Sequence, residues 1–416
     1  MLGRDFDNAI ASNKSYGDLA VQHALFTRLR AEDPVHWTEP DGFEPFWTVT
    51  KHADVMEIEG KADKFLNAPR SKLFSRAFQQ QIRELMQGKT HLVRGLPQMD
   101  GADHRLFRGL TQAWFQPKQV KLLEDRMQAL AKRSVDELVA KGTSCDFYRD
   151  IAVWYPLRVV MMILGLPAQD EERLLRITQA YFGGSDPEVQ KGSDLIKATQ
   201  DYVNYFDGVA DDRRRHPTDD VASLIANATI DGQPIGHYEA SSYYVALASA
   251  GHDTTSATAA GGLLELIKNP GEWRKLQDNP DLISSAVDEM VRWVSPVKHF
   301  FRTATEDYEL RGRQIKAGQS LMMCYPSANR DEELFDQPFS FRVDRNPNRH
   351  VGFGYGPHVC LGMFMAKLEL KILFAELIAR VESFELDGEP AWVETAFVGG
   401  LKRLPVRFKL KGIVAV

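Results

Sequence analysis

The chain has 416 residues, 44% hydrophobic and 26% charged, with a formal net charge of −6. That acidic balance excludes the basic footprint that nucleic-acid binding rewards. The three cysteines, Cys145, Cys324 and Cys360, are odd in number and far apart, which excludes a disulfide framework and points to a reducing compartment, the cytoplasm.

In chain order, the N-terminus MLGRDFDNAI lacks the apolar stretch of a signal peptide. No run of about 18 apolar residues is available as a membrane anchor. Helical periodicity then dominates. Helices are expected over residues 17–32, 102–115, 119–140, 154–166, 170–182 and 191–214, with a short strand at 46–50. The run Arg213-Arg214-Arg215 is flanked by Asp211, Asp212, Asp219 and Asp220 and reads as a solvated loop, not a binding patch. Further helices are expected at 237–268 and 281–294, then a strand at 319–324. Residues 325–356 are rich in Pro, Asn, Asp and Gly and have no period; so long a structureless stretch inside a compact domain usually carries function. A last helix, 361–381, and a strand, 404–410, complete the chain. Strands are too few for a βαβ repeat or a sandwich. With no linker or repeat in sight, the expectation is one domain over residues 1–416, mainly α with small β-sheets.

The non-periodic stretch delivers Cys360 through Phe353-Gly354-Tyr355-Gly356-Pro357-His358-Val359-Cys360-Leu361-Gly362. Glycines allow positive φ and close backbone approach to a flat ligand. Free amides at a helix start, with the positive end of its dipole, favour a thiolate, and a thiolate there is a good metal ligand. A lone cysteine behind a tight turn is more often structural, so the case rests on its surroundings. Upstream, the small-residue run 244–262 reads as a close helix contact, but Gly251-His252-Asp253-Thr254-Thr255 breaks it. Burying Asp and Thr without partners costs about 1–3 kcal/mol each. Glu289 and Arg292 lie three apart and share a helical face, as His104 and Arg108 do at a spacing of four. By themselves such pairs are common on surfaces.

Taken together, these motifs resemble the cytochromes P450. The cysteine loop matches that family's haem-binding loop at its defining positions, and Gly251–Thr255 resembles its oxygen-activation motif. Glu289 and Arg292 resemble its ExxR pair, with Arg345 as the third member of a structural ion triad. The family motifs cover about residues 100–400. The resemblance implies the cytochrome P450 fold, a triangular helix-rich domain enclosing haem b. Cys360 would be the proximal iron ligand, and its electron donation favours O–O cleavage. Phe353 would pack beside the sulfur, and Gly362 would start the helix under the haem. His104, Arg108, Arg302 and His358 would hold the propionates, the guanidinium forks suiting carboxylates best. The long helix would open locally over the haem, with Thr254 holding oxygen and water and Asp253 feeding protons.

The resemblance further implies an O2- and NAD(P)H-dependent monooxygenase. No flavin or nicotinamide fingerprint is present, so electrons would come from a separate iron–sulfur ferredoxin and its reductase. Arg105, Arg108, Lys118 and Lys121 are a candidate docking patch, with a plain solvated face as the alternative. Pocket walls would come from the loop at 82–99, the long helix, the turn after Arg292 and the C-terminal hairpin. Here these supply Ala246, Ser249, Ala250, Val297, Phe397 and Val398. That lining points to a small or medium hydrophobic substrate. The segments Trp293–Lys298, Tyr325–Asp331, Asn348–His350 and Phe397–Gly400 are similar to the α-terpineol hydroxylase branch, which favours a monoterpenoid or alkyl-aromatic compound over a steroid or fatty acid. A monomer is expected. The rival classes are a haem-thiolate gas or redox sensor without turnover, a peroxide-using enzyme, and a haem-free helical scaffold; the Asp253–Thr254 pair and the cysteine loop argue against them.

Overall fold

The computed structural model describes residues 2–182, 186, 188 and 195–412. The expected helix start at 191–194 lies outside the described residues. Most expected helices are present with trimmed ends. The first is Leu19–Glu32, begun by the Asp18 carboxylate, which accepts from the Ala20 and Val21 N–H groups. That N-cap satisfies two of the donors a helix start leaves open. Two expected helices divide: 102–115 becomes Gly101–Thr111 and a 3-10 turn, and 119–140 becomes Pro117–Leu122 and Glu124–Ala140. Helices at Arg4–Ala11, His52–Gly60, Arg76–Leu85 and Pro270–Asp278 were not anticipated.

The three expected strands form Phe46–Val49, Ser320–Cys324 and Pro405–Leu410. The first two pair in parallel inside a five-stranded sheet, in which His299–Ala304 runs antiparallel to Ser320–Cys324. The third pairs with Val381–Leu386 and Ser144–Asp146. These sheets flank the helices, and the largest apolar cluster lies among the helices themselves. Arg213 corrects the solvated-loop reading. It sits at the end of the Leu195–Arg215 helix, bonded to Asp220 at 2.8 Å and to the Gly165 carbonyl at 2.6 Å.

The long helix, His237–Lys268, runs unbroken through Gly251–Thr255, so the expected local opening is absent. Its hydroxyls turn back on their own helix instead: Thr254 donates to Ala250 O at 2.7 Å, Ser256 to His252 O and Thr258 to Thr254 O. The small residues do serve a close contact. A Cβ on Gly261 would sit 2.6 Å from Val294, and one on Gly262 would sit 2.6 Å from Met290, both on the Ile283–Val294 helix.

The long irregular segment is pinned at Glu289. This fully buried carboxylate bonds Arg292 at 2.7 and 2.8 Å, Arg345 at 3.0 and 3.2 Å, the Arg342 N–H at 3.0 Å and Asn348 at 3.1 Å. Arg292 spends its other donors on the carbonyls of Asn329 and Pro338, and Arg345 on those of Asp336, Gln337 and Ser340. One acid therefore gathers a helix and two parts of the segment that leads to Cys360. Among the described residues, no helix is long and apolar enough to cross a membrane.

Candidate functional site

A cavity of about 280 Å³ opens between the long helix and the cysteine loop. Thr254, Ala246 and Ala250 line it from the helix; Phe353, Cys360 and Gly362 line it from the loop. The loop's shape follows from its residues. The Cys360 N–H bonds to Phe353 O at 2.8 Å, and the helix Met363–Arg380 begins just beyond, with Gly362 at its N-cap position. Gly356 has φ +68, and a Cβ there would lie 2.4 Å from Glu59 O, so both conformation and space require glycine. Burial raises the Cys360 thiol pKa, opposed by the Gly362 N–H and by Arg108. A cation on the cavity side, where the residue is exposed, would favour the ionised sulfur further.

One edge of the cavity is cationic. Arg108 lines it without any hydrogen bond or ion pair among the described residues. The His104 and His358 rings lie 4.0 Å apart, and the buried Nε2 of His104 has no partner. Burial, aided by His104, Arg302 and Arg108, pushes the His358 pKa down to about 2. Asp100 Oδ1 lies 3.9 Å from His358 Nε2, but the Arg108 guanidinium and His104 Nε2 are left free to meet an anion. Arg302 departs from expectation. It lines the same cavity, but its guanidinium pairs with Glu59 at 2.6 Å. That acid also accepts from Tyr325 Oη at 2.6 Å and the Tyr355 N–H at 2.8 Å. Burial raises the Glu59 pKa against the pull of Arg302 and these donors.

Asp253 and Thr254 are adjacent on one helix, so their side chains point about 100° apart. Thr254 faces the cysteine cavity, whereas Asp253 faces a second cavity lined by Tyr148, Arg149, Glu188 and Lys402. The buried Asp253 Oδ2 has no hydrogen-bond partner, with His252 Nδ1 3.7 Å away, and burial raises its pKa well above the ordinary carboxylate range. His252 is fully buried and bonds Val153 O at 2.8 Å through Nε2, which fastens the long helix to the turn before Trp154–Ile163. Burial lowers its pKa to about 4, so the ring is neutral and Nε2 is the donor.

Not every expected substrate contact is in this cavity. Ala246, Ala250 and Val297 line it. Ser249 is buried and returns its hydroxyl to Ala246 O at 3.4 Å, because its helical position faces the neighbouring helices. Phe397 and Val398 line an adjoining cavity instead, placed there by the bridge between Val398 and Val297. Glu369, on the cysteine helix, was not anticipated. It lines the cavity and leaves Oε2 without a hydrogen-bond partner; burial raises its pKa to about 8, opposed by the nearby Thr255 hydroxyl.

The sequence profile described as Cytochrome P450 matches residues 159–411. Cytochrome P450-terp of a Pseudomonas species is 43% identical over 407 residues, 95% of each chain. The chain belongs to the cytochrome P450 family. Linalool 8-monooxygenase of Pseudomonas putida is 32% identical, covering 93% of this P450 and 95% of that protein. The crystal structure of CYP108D1 from Novosphingobium aromaticivorans superposes with a TM-score of 0.92 at 41% identity, covering 99% of this chain and 100% of that one. This P450 is a monooxygenase of a class that works with haem iron and O2.

The residues present fit a haem. A cysteine sulfur stands on one wall, a helix of small residues and a hydroxyl on the other, and unpaired donors at one edge.

Proposed function

We propose that this P450 hydroxylates a monoterpenoid or alkyl-aromatic substrate, drawing electrons from a separate ferredoxin and reductase. The observation that carries the reading is an apolar cavity with Cys360 on one wall and Thr254 on the other, and donors free for carboxylates at its edge. The class of substrate follows from the walls above Thr254: Leu96, Leu247, Ala246, Ala250 and Val297 offer apolar surface. Such a lining selects by shape and desolvation, not by polar contact. Relatives named for terpenoid substrates support the class.

In this reading Cys360 would hold haem b, with Arg108, His104 and His358 on its propionates, and that group would supply dioxygen activation when bound. Arg302 would share its guanidinium between a propionate and Glu59. The protein's own work is to keep water out and to deliver protons singly. Asp253, whose pKa burial raises, is held toward its protonated form and collects its proton from the cavity on its own side. The Thr254 hydroxyl, now donating to Ala250 O, passes a proton into the cysteine cavity once it turns from that carbonyl. A proton moving from one cavity to the other thus crosses a single helix. Arg105 and Lys118 are exposed on the helices beside the Cys360 wall, with Lys121 paired to Glu124, and form the cationic part of the ferredoxin face; Arg108 faces the cavity and does not.

The test is reconstitution with a ferredoxin system under isotopically labelled dioxygen. Neutral monoterpenes and alkylbenzenes should shift the spin state on titration and yield alcohols carrying one labelled oxygen. Electron uptake with no oxygenated product from any such compound would favour the sensor reading and overturn this one.

A further inference from the structure

The second large cavity, about 520 Å³, lies beside the cysteine cavity. Phe397 and Val398 line it, and the wall between the two is the Val297–Val398 bridge with the Phe300 and Phe397 rings 5.5 Å apart. Most of its surface is apolar, from Phe74, Phe78, Ile82, Tyr181 and Phe182. Its polar side chains are nearly all spent within the protein. His299 accepts the Leu73 N–H at 3.0 Å and donates to Ala396 O at 2.7 Å. His91 bonds Ala68 O at 2.7 Å, and Thr199 bonds Leu195 O at 2.7 Å. Gln98 donates to Ser71 at 3.1 Å and accepts the Gly95 N–H at 3.0 Å.

Lys72 is the exception. Its ammonium lines this cavity with no hydrogen bond or ion pair to any described residue. What it touches is aromatic: Nζ sits 4.4 Å from the Phe397 ring centre and 5.9 Å from that of Tyr181. The other charged or titratable groups near it, Arg70, His91 and His299, are cationic or neutral. Among the described residues no carboxylate contributes to its environment, and burial draws its pKa down to about 8. A three-donor cation in an apolar cavity is costly unless an acceptor meets it, and two ring faces recover only part of that cost.

We propose that Lys72 is a substrate-specificity residue that binds the carboxylate of an amphipathic acid, whose hydrocarbon part reaches past Phe397 and Val297 toward Thr254. This rests on the reading of the Thr254–Cys360 cavity as the oxidation site. It adds to that reading's hydrocarbon substrate one anionic end. Terpenoid or aryl carboxylates and linear alkanoates share that chemistry, and the shape of the cavity decides between them.

The experiment compares carboxylates with their isosteric primary amides in calorimetric titrations of the holoenzyme. One arm uses terpenoid and arylalkyl acids of increasing length, the other linear alkanoates. A charged acceptor gains about 1.4 kcal/mol more than a neutral one, about tenfold in Kd. The wild type should therefore prefer at least one acid to its amide by about tenfold or more. Lys72→Met should abolish that preference and leave neutral terpenes bound as well or better, since they no longer strand an unpaired ammonium. Lys72→Arg should retain it. Equal binding of acids and amides by the wild type, or a preference that survives Lys72→Met, would overturn the proposal. Calorimetry does not depend on the haem spectrum, so a missing thiolate signature in the same sample would count against the haem reading and leave the lysine's selectivity measurable.

Discussion

Replacing Glu289 with glutamine keeps the shape of the hub and removes its charge. In the native protein this carboxylate neutralises two guanidiniums, Arg292 with no exposed surface and Arg345 4% exposed. The substitution leaves two cations facing one neutral amide, with only backbone carbonyls to absorb them. Breaking a buried pair from one side costs about 3–5 kcal/mol. Two stranded arginines set the upper part of that range, less what the carbonyls of Asn329, Pro338 and Ser340 return. Against a typical total of about 5–15 kcal/mol, such a loss is a large fraction. The assay is urea unfolding followed by fluorescence, with haem content measured on the same preparation. A clear fall in the midpoint is expected, along with loss of haem, because the segment that presents Cys360 is loosened. The pH dependence supplies a check. Burial would raise the Glu289 pKa, but the bonds and charge of Arg292 hold it below 4.5. Its stabilisation is therefore complete above 4.5 and lost as pH falls through the folded value. The variant should lose that part of the acid sensitivity. A midpoint within experimental error of wild type, with full haem, would refute the hub argument.

Asp253→Asn should slow product formation by about a hundredfold or more if proton delivery limits turnover, as general acid groups contribute on that scale; unchanged turnover would place delivery elsewhere. Thr254→Ala should divert electrons to hydrogen peroxide, measured as peroxide formed per product; unchanged coupling would contradict its role. Arg108→Gln should weaken haem retention in an apomyoglobin transfer assay, and wild-type retention would show that its charge meets no propionate. For Glu369, burial raises the pKa from 4.5 to about 8. The native state keeps the proton that the unfolded chain releases over this interval, so stability falls as pH rises from 4.5 through 8. At about 1.4 kcal/mol per unit the ceiling is roughly 5 kcal/mol; Glu369→Gln should thus be more stable than wild type above pH 8 and equal to it below 4.5, as urea midpoints would show.

What could be read from the residues was local. The loop around Cys360, the Glu289–Arg292 spacing and the long helix each keep their chemistry within a few positions, so pattern and physics agreed. The unread features are contacts between distant parts of the chain. Glu59 meets Arg302 across 243 positions, and nothing near either residue announces the pair. Glu369 finds Thr255 only once two helices pack. Ser249 was placed in the pocket by its neighbours, but one helical step turns it away. Phe397 and Val398 line the adjoining cavity and not the one that holds Thr254, since the partition depends on a bridge to Val297. The helix is unbroken where an opening is expected, and Thr254, Ser256 and Thr258 satisfy their hydroxyls on the preceding turn.

The measurement that bears most directly on the central claim is the absorption spectrum of the dithionite-reduced protein under carbon monoxide, for wild type and Cys360→Ala. A Soret band at the far-red position characteristic of a thiolate-ligated haem is predicted for the wild type, and its loss in the variant. A wild-type band at the position of histidine-ligated haem, or a far-red band that persists in Cys360→Ala, would contradict the assignment of Cys360 as the iron ligand.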